Sequence, residues 1–571
     1  MMSLAWTYRN TLIIVLTPLI LLPLLLAEQS LVAKCAYGLI IMAVYWTTEA
    51  CPLAVTSLLP IVLFPMLGVL DADSVSMAYT RQLNFLFMGG LMVAVAIEEW
   101  NLHRRIALKI LMLIGARPCW VLLGFMMVTA LLSMWISNTA TTAMMVPIAV
   151  AVYDQMSDNP EEVDEEAGLN GPTHKWCSEV QDQTDTQNVT NNRNDEGVFC
   201  FILYSTKQCN QSKEKNLRKA MLLCVSYAAN IGGFATLIGT PANLILPGAL
   251  DSVFGEGSSE TVDFVSWMAF SVPVSLVCLL LTWIWLQIRF IGIRLSLVFI
   301  TFNRFEIKRI FTIVNFGRRA ISGKTTEFGE LAVLGHFVVL AILWLTRDPK
   351  FVSGWKEIFP RGLMKDSTSA ILVSFSLFVF PSKNPFRKLK GTNEVRVSSP
   401  PLLAWKTAQK NVAWDVFFLL GAGFALAKAC EDSGLTEWVG DTMSGLTDMS
   451  PAAFALIISI MLSLLTEFTS NVSTASIFLP VLCRLASHSG IHPLYIAIPA
   501  TISCSFAFSL PVATPPNAIA FSYGGLKVKD LISTGLVLNF ICVFILNGFL
   551  NLTGVPIFNL SEKSMLNATS Y

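Results

Sequence analysis

Long apolar stretches recur along the whole chain and constrain its fold more than any other feature. Hydrophobic residues make up 54% of the sequence and charged residues only 14%, against about 25% charged residues in an average soluble protein. A helix needs about 20 apolar residues to cross a bilayer, so the recurrence predicts many crossings rather than a single anchor. The first apolar run, 11–27, has no small-residue cleavage pattern, and we expect a retained span rather than a signal peptide.

Hydropathy predicts an all-α polytopic membrane protein with about 11 transmembrane helices. Two further apolar segments, 119–154 and 450–486, carry polar residues at their middle. Each is long enough for two short arms, so we expect re-entrant hairpins. The predicted spans lie near 11–27, 32–50, 52–70, 85–97, 218–250, 263–288, 331–346, 366–381, 414–430, 494–522 and 531–550.

The same polar motif occupies the middle of both hairpins. The first hairpin reads SMWISNTATTAMMVPI over 133–148, and the second reads TEFTSNVSTASIFLPV over 466–481. When Asn138 is aligned with Asn471, the preceding Ser, the Thr three residues later and the Pro nine residues later coincide. A motif that recurs at fixed spacing indicates an internal repeat, as in secondary transporters.

A span broken by Gly and Pro follows each hairpin. These spans read IGGFATLIGTPANLI over 231–245 and FSLPVATPPNAIAF over 508–521. Pro and Gly free backbone carbonyl and amide groups at membrane depth, where such groups need a protein-lined or watery cavity. Carbonyl, hydroxyl and amide oxygens suit a cation such as Na+, whereas N–H groups at half-helix ends suit a carboxylate or sulfate. The repeat therefore predicts a small-ion site near the membrane midplane.

Simple packing roles and different protein classes account for these features less well. Ser, Thr, Gly and Pro often serve packing in membrane helices, but packing does not require the same spacing in both a hairpin and a broken helix. A membrane hydrolase would need a motif such as HExxH or GxSxG, which the sequence lacks. A channel would need a repeated pore lining. Lys plus Arg and Asp plus Glu both number 39, so net charge suggests no nucleic-acid partner.

Basic clusters set the expected orientation, because Lys and Arg are enriched on the cytosolic side. Three clusters are expected in the cytosol, which places the amino terminus inside and the carboxyl terminus outside. The hairpins then enter from opposite faces, as inverted repeats do. The linker 347–365 must lie outside although it contains several Lys and Arg residues. The clusters are Arg104, Arg105, Lys109 and Arg117; the run from Arg289 to Lys324; and Lys383, Arg387, Lys388 and Lys390.

Segments outside the spans carry further predictions. The polar segment 155–217 has no periodic apolar face, and we expect a disordered cytosolic loop, although two sequons within it conflict with that side. The segment 98–117 has the pattern of a basic amphipathic helix along the cytosolic interface. Sequons at Asn559 and Asn567 follow the last span and predict extracellular glycosylation.

At these motifs the chain resembles the divalent-anion/sodium symporter family, solute carrier family thirteen, in its Na+-coupled di- and tricarboxylate branch. The family implies an elevator-type carrier, a homodimer of scaffold and moving transport domains in the plasma membrane, and uptake of acids such as succinate and citrate with Na+ and no cofactor. A cation-independent carboxylate exchanger and a Na+/sulfate symporter are alternatives. The resemblance covers nearly the whole chain and includes WTTEACPLAVTSLLPIVLFP, EEWNLHRRIALKILMLIGARP, LSMWISNTATTAMMVPIA, TRDPKF, FALAKACEDSGL and PVATPPNAIAFSYG.

The resemblance also implies a division of the chain and a set of site residues. The parts are 1–118 with the first spans, the first hairpin 119–154, the loop 155–217, the first broken helix and following span 218–290, the linkers and scaffold spans 291–413, the second repeat 414–530 with hairpin 450–486 and broken helix 494–522, and the last span 531–571. One sodium ion would bind Ser133, Ser137, Asn138 and the backbone at Gly239. The second would bind Thr466, Thr469, Asn471 and the backbone at Ala513. The anion would contact Asn138, Thr139, Thr240, Pro241, Asn471, Val472, Thr514 and Pro515.

Some residues at these motifs need separate interpretation. Phe234 and Ile238 stand where Na+-coupled carboxylate carriers usually have Thr, and an Ile at the second position resembles the cation-independent citrate exchangers. Glu467 is the only acidic residue beside either motif, and its counterpart in the first repeat is Met134. Glu467 is either a functional ionisable group or a carboxylate that orients the hairpin by hydrogen bonds.

Overall fold

The computed structural model confirms the all-α membrane fold. Six helices are long and apolar enough to cross a membrane, or seven if the bent pair Trp405–Asn411 and Trp414–Asp432 forms one span. In the part of the chain that the structure describes, β pairing is limited to an isolated bridge between Pro381 and Pro401. The described residues are 8–100, 102, 105, 118–156, 215–255, 257–291, 328–348, 353–360, 363–384, 399–435, 437–438 and 449–560.

The helices follow the predicted apolar segments along the chain. The first half contains α1 (Arg9–Ala27), α2 (Leu31–Thr48), α3 (Leu53–Thr56), α4 (Leu59–Leu67), α5 (Ala72–Tyr79), α6 (Gln82–Glu99), α7 (Pro118–Ser133), α8 (Asn138–Met156), α9 (215–234), α10 (Pro241–Phe254) and α11 (Phe264–Leu286). The second half contains α12 (Phe328–Arg347), α13 (Asp366–Val379), α14 (Trp405–Asn411), α15 (Trp414–Asp432), α16 (Pro451–Leu465), α17 (Asn471–His488), α18 (Pro493–Ser503), α19 (Pro515–Ser522), α20 (Val528–Phe549) and α21 (Val555–Ile557).

The segment 52–70, predicted as one span, consists of the two short helices α3 and α4. Pro60 lies at the start of α4, where it cannot donate to a preceding turn. Ser57, between the helices, bonds the Leu53 carbonyl at 2.7 Å, and its own carbonyl accepts from Tyr79 at 2.5 Å. These bonds give hydrogen-bond donors to the carbonyl groups of Leu53 and Ser57, where the helix is interrupted.

Several predictions fall on residues that the structure does not describe. They are the interfacial helix over most of 98–117, the loop 155–217 over 157–214, the basic run beyond Ile291, the basic residues at 387–390 and the glycosylation residue Asn567. The division of the chain into a scaffold and a transport domain also remains a prediction.

Both motifs lie in pairs of helices joined by a short turn. The segment predicted as the first hairpin consists of α7 and α8 with the turn 134–137, and the segment predicted as the second consists of α16 and α17 with the turn 466–470. The broken spans are α9 with α10 and α18 with α19, interrupted at 235–240 and 504–514.

Helices of the two repeats pack against each other. α8 packs against α19, and α17 packs against α10, so the second arm of each hairpin contacts the broken span of the other repeat. α6 packs against α13, and α12 packs against both of them. This packing brings the hairpin tips and the two breaks to one region of the molecule.

Candidate functional site

The first half-site lies where the tip of the first hairpin meets α9. Ser133 Oγ, at the end of α7, lies 2.7 Å from Asn138 Oδ1 and 2.7 Å from the carbonyl oxygen of Ala229. A hydroxyl has one hydrogen, so it donates to one of these oxygens at a time. Asn138 begins α8, and its Nδ2 lies 3.5 Å from Asn230 Oδ1. A hydroxyl, a side-chain amide and a backbone carbonyl therefore meet at the tip.

The second half-site repeats this arrangement. Thr466, at the end of α16, lies 2.9 Å from Asn471 Oδ1 and 2.8 Å from the carbonyl oxygen of Cys504. Asn471 begins α17, as Asn138 begins α8. In both repeats the hydroxyl residue precedes the Asn by five positions, and the carbonyl belongs to the broken span. The two motifs thus share contacts as well as spacing.

An oxygen-lined space lies beside Gly239, in the first break. A Cβ at Gly239 would collide with the carbonyl oxygen of Gly233, and it would lie 3.0 Å from Thr236 Oγ1 and 3.1 Å from the Met134 carbonyl oxygen. Thr236 also donates to Met134 O at 2.5 Å, which ties the break to the hairpin tip. Such oxygens suit Na+. The matching residue of the second repeat is Ala513, whose methyl group makes the two spaces different.

Each break is held open by one asparagine. The side-chain N–H groups of Asn243 and Asn517 donate to the carbonyl oxygens ten and seven residues earlier, at 3.3 and 2.7 Å for Asn243 and at 2.9 Å in both cases for Asn517. Thr240 and Thr514 precede the second half-helices in extended backbone conformations, and neither side chain caps its helix. Both helices begin with proline, which has no N–H, and the N–H groups of Asn243 and Asn517 bond the Thr240 and Thr514 carbonyls at 3.2 and 3.0 Å. The N-termini of α10 and α19 therefore favour an anion through the helix dipole rather than through unpaired N–H groups.

The predicted site residues differ in their exposure and in their hydrogen-bond partners. Ser137, Thr139 and Pro515 are exposed, whereas Val472, Thr240 and Thr514 are buried. Ser137 Oγ accepts from Ala140 N at 3.2 Å and so caps α8. Thr469 Oγ1 lies 2.5 Å from Thr474 Oγ1 and 3.2 Å from the Leu465 carbonyl oxygen. The structure thus brings together Ser133 with Asn138 and Thr466 with Asn471, while the hydroxyls of Ser137 and Thr469 bond within their own hairpins.

Glu467 joins the second hairpin tip to the second break. Its side chain is buried, with 3% of the residue exposed. The carboxylate accepts the backbone N–H groups of Phe508, Ser509 and Leu510 at 2.9 to 3.0 Å and the Asn539 amide at 2.6 Å. The orienting interpretation of this residue therefore fits the structure, although the bonds reach the broken span and α20 rather than the hairpin itself.

The two residues that depart from the family pattern have apolar neighbours. Ile238 lines a small apolar cavity together with Gly90 and Trp135. Phe234 is buried, and its ring lies 5.6 Å from that of Phe506 in a T-shaped contact. Neither side chain replaces an oxygen seen around Gly239, because those oxygens come from other residues.

Sequence reasoning missed the contribution of α9 to the site. Ser226 donates to Asn517 Oδ1 at 2.5 Å, and Asn230 donates to Thr514 Oγ1 at 3.2 Å. Both residues are buried. The available signal was a Ser and an Asn four residues apart in the largely apolar stretch 220–234, which places both on one face of α9.

Comparisons with known proteins agree with this arrangement. The family model described as "Sodium:sulfate symporter transmembrane region" matches residues 3–560. Solute carrier family 13 member 2 of Homo sapiens is 43% identical over 97% of this chain and 94% of its own length. The Na(+)/citrate cotransporter of Rattus norvegicus and the Na(+)/dicarboxylate cotransporter 3 of Homo sapiens are each 42% identical over 97% of this chain, and the matches cover 96% and 93% of their lengths. The chain belongs to the sodium:sulfate symporter family.

Proposed function

We propose that this protein is a secondary active carrier, not an enzyme, which takes up di- and tricarboxylates such as succinate and citrate together with Na+. The duplicated cluster carries the proposal: a hydroxyl, an Asn amide and a carbonyl meet beside a helix break in both repeats. The relatives named as Na(+)/citrate and Na(+)/dicarboxylate cotransporters support the substrate class.

The cation sites follow from the oxygen atoms at the two tips. Na+ would bind near Ser133, Asn138 and Gly239 in the first repeat, and near Thr466, Asn471 and Ala513 in the second. A bound cation would replace the hydroxyl hydrogen as the partner of the Asn oxygen. The oxygens around Gly239 belong to Gly233, Thr236 and Met134 rather than to residue 238, which supports coupling over a cation-independent exchanger.

The anion site follows from neutral dipoles rather than from basic side chains. The sequence has no Lys or Arg in either motif or either break. A dianion is costly to bring to the membrane interior without neutralisation. The helix dipoles at the N-termini of α10 and α19 would attract the acid, the amides of Asn138 and Asn471 would supply donors, and the bound Na+ ions would supply charge. Na+ therefore binds first and raises the affinity for the acid.

Contacts between helix ends support the proposed order of membrane crossings, while the basic clusters give the direction, with a cytosolic amino terminus and an extracellular carboxyl terminus. The contacts join segments that this orientation puts on the same side of the membrane. The cytosolic contacts are Lys219 with Asp530, Arg289 with Ser533 and Arg105 with Glu330. The outer contacts are Arg81 with Ser252, Lys365 with Glu260, Arg484 with Glu431 and Tyr495 with Asn551.

The linker 347–365 fits the outer side despite its basic residues. Lys365 lies 2.7 Å from Glu260, which follows the outer end of α10. Arg347 pairs with Asp366, and the hydrogen bond from Lys365 holds the pKa of Glu260 below its ordinary value. These cations are therefore fixed by acidic partners at the outer face.

Glycosylation tests this orientation. Asn559 is exposed after the last helix, whereas the Asn551 side chain bonds Tyr495 and the Asn547 carbonyl, so Asn559 and Asn567 are the better acceptors. A glycosidase shift should disappear in the double variant Asn559→Gln/Asn567→Gln. A shift that survives there and is lost in Asn188→Gln would reverse the topology.

The proposed movement is an elevator-like shift of both hairpins and broken helices against a scaffold, in a homodimer at the plasma membrane. This part rests on the family resemblance. Crosslinking of the purified protein in lipid would give a dimer band, and a monomer alone would contradict it.

Uptake of labelled acids tests the function. Cells expressing the protein should take up succinate and citrate in Na+ medium, and much less when choline replaces Na+. The uptake of labelled sulfate should be much lower than that of either acid. Sulfate uptake exceeding that of both acids would instead identify a sulfate carrier.

A further inference from the structure

We propose that Asn230 is a positioning residue that couples the first sodium site to the carboxylate site of the second repeat. The proposal rests on the Na+-coupled carboxylate uptake proposed above. It assigns to one buried side chain a role in the cooperativity between Na+ and the acid.

Asn230 contacts both repeats. Its Oδ1 lies 3.5 Å from Asn138 Nδ2 at the first hairpin tip, and its Nδ2 donates to Thr514 Oγ1 at 3.2 Å in the second break. The residue is 1% exposed, so water does not compete for these bonds. A cation at Asn138 and an acid at Thr514 would therefore be joined through one amide group.

The surrounding turn of α9 fixes this amide in place. The Ala229 carbonyl bonds Ser133, and a Cβ at Gly233 would collide with the Asn138 amide, so the first tip sits directly on α9. One turn earlier, Ser226 bonds Asn517 in the second break. Asn230 lies between these contacts.

The bond to Thr514 also determines what its hydroxyl can do. Thr514 Oγ1 accepts from Asn230, which leaves its own O–H to donate elsewhere, and a carboxylate accepts such a bond. When Na+ binds Asn138 Oδ1, the Asn138 Nδ2 is oriented toward Asn230, and Asn230 in turn presents Nδ2 to Thr514. Na+ binding thereby prepares a donor for the acid.

The link runs in one direction between the repeats. Asn230 precedes Asn243 by 13 residues, and the residue at the same spacing before Asn517 is Cys504. The backbone carbonyl of Cys504 bonds Thr466, within its own repeat. Among the described residues, α18 therefore gives no amide link back to the first break.

The test measures the succinate KM at low and at saturating Na+ in cells expressing wild type, Asn230→Ala, Thr514→Val and the double variant. A coupling free energy between two sites changes affinity by roughly 5- to 150-fold. We expect the wild-type KM to fall at least about tenfold between the two Na+ concentrations. In Asn230→Ala this ratio should fall below about threefold, with Vmax at saturating Na+ kept within about twofold.

The double-mutant cycle and a matched control separate coupling from general damage. The double variant Asn230→Ala/Thr514→Val should have the same KM ratio as either single variant, because the two substitutions remove the same hydrogen bond. Ser275→Ala is the control, since Ser275 bonds the carbonyl of the adjacent Ile231 at 3.2 Å without reaching the second repeat. Its KM ratio should equal that of wild type.

Failure of the proposal differs from failure of the function. A wild type without Na+-dependent uptake would overturn the function and this proposal with it. A coupled wild type with an unchanged KM ratio in Asn230→Ala would overturn the proposal alone. If Asn230→Ala does not reach the surface, Asn230→Leu decides the question by the same KM ratio, because it fills the space without an amide and leaves the Thr514 hydroxyl in place.

Discussion

The two hairpin tips make the same polar contacts in different surroundings. Trp135, at the first tip, packs against Phe337 and Trp344 of α12, with ring centroids 5.0 and 6.5 Å apart. Its counterpart Phe468 is 71% exposed. In the breaks, Ile238 lines an apolar cavity with residues of α6 and α12, whereas the matching Val512 is 81% exposed.

The comparison separates what the ion site requires from what holds each tip. The pairing of a hydroxyl with an Asn occurs in both repeats, which fits a site with two cation positions. The attachment of each tip to its break differs, because the first uses Thr236 and the Met134 carbonyl, and the second uses the Glu467 carboxylate. The first tip is packed against neighbouring helices, and the second tip is exposed at Phe468.

The largest expected effect is common to both repeats. Asn138→Ala and Asn471→Ala should each reduce succinate uptake by about 100-fold, because each removes an oxygen for the cation and a donor for the anion, and hydrogen bonds to charged groups contribute about 1.5–3 kcal/mol. Uptake is normalised to surface protein by biotinylation. Wild-type kinetics in either variant would break the equivalence of the two half-sites.

Replacement of Glu467 should expose the first difference. Glu467→Ala leaves two buried backbone N–H groups and a part-buried one without an acceptor, at about 1–3 kcal/mol for each buried unsatisfied group. We expect a large loss of thermal stability, measured by size exclusion after heating. Met134→Ala is the control at the matching position and should lose much less. Equal losses would show that the carboxylate has no special role.

The packed and exposed tips should differ in the cost of truncation. Trp135→Ala should lower stability by about 3 kcal/mol, since it empties a packed aromatic site. Phe468→Ala should change stability by less than about 0.5 kcal/mol, as is usual for exposed residues. The measurement is the melting temperature of each purified variant in the same detergent. Similar shifts would mean that both tips are packed.

A smaller effect is expected where the repeats differ by one hydroxyl. Ser226 bonds Asn517 Oδ1, while the matching residue of the second broken span is Ala500 and Asn243 Oδ1 has no partner. Ser226→Ala should destabilise by about 1 kcal/mol, and Ala500→Ser should stabilise by a similar amount if its hydroxyl reaches Asn243. The melting temperature should fall in Ser226→Ala and rise in Ala500→Ser. Destabilisation by Ala500→Ser would contradict the proposed match.

The sequence predicted the helical fold and the polar motifs because both depend on local patterns. Apolar length located the spans, and equal spacing located Asn138 with Asn471. The cross-repeat contacts of Ser226 and Asn230 were not predictable, because they depend on how α9 packs against α19 and its break. The split at 52–70 was missed because hydropathy ignores the proline at the start of α4. The exposure of Phe468 also depends on tertiary packing, which composition does not encode.

Accumulation of succinate in proteoliposomes tests the central claim most directly, since coupling through two half-sites must drive transport against a gradient. With the purified protein and an inward Na+ gradient, we expect internal succinate to rise above the external concentration and to return to it when Na+ is equal on both sides. Uptake that never exceeds the external concentration, is unchanged when choline replaces Na+ and is stimulated by citrate inside the vesicles would contradict Na+ coupling and identify an exchanger.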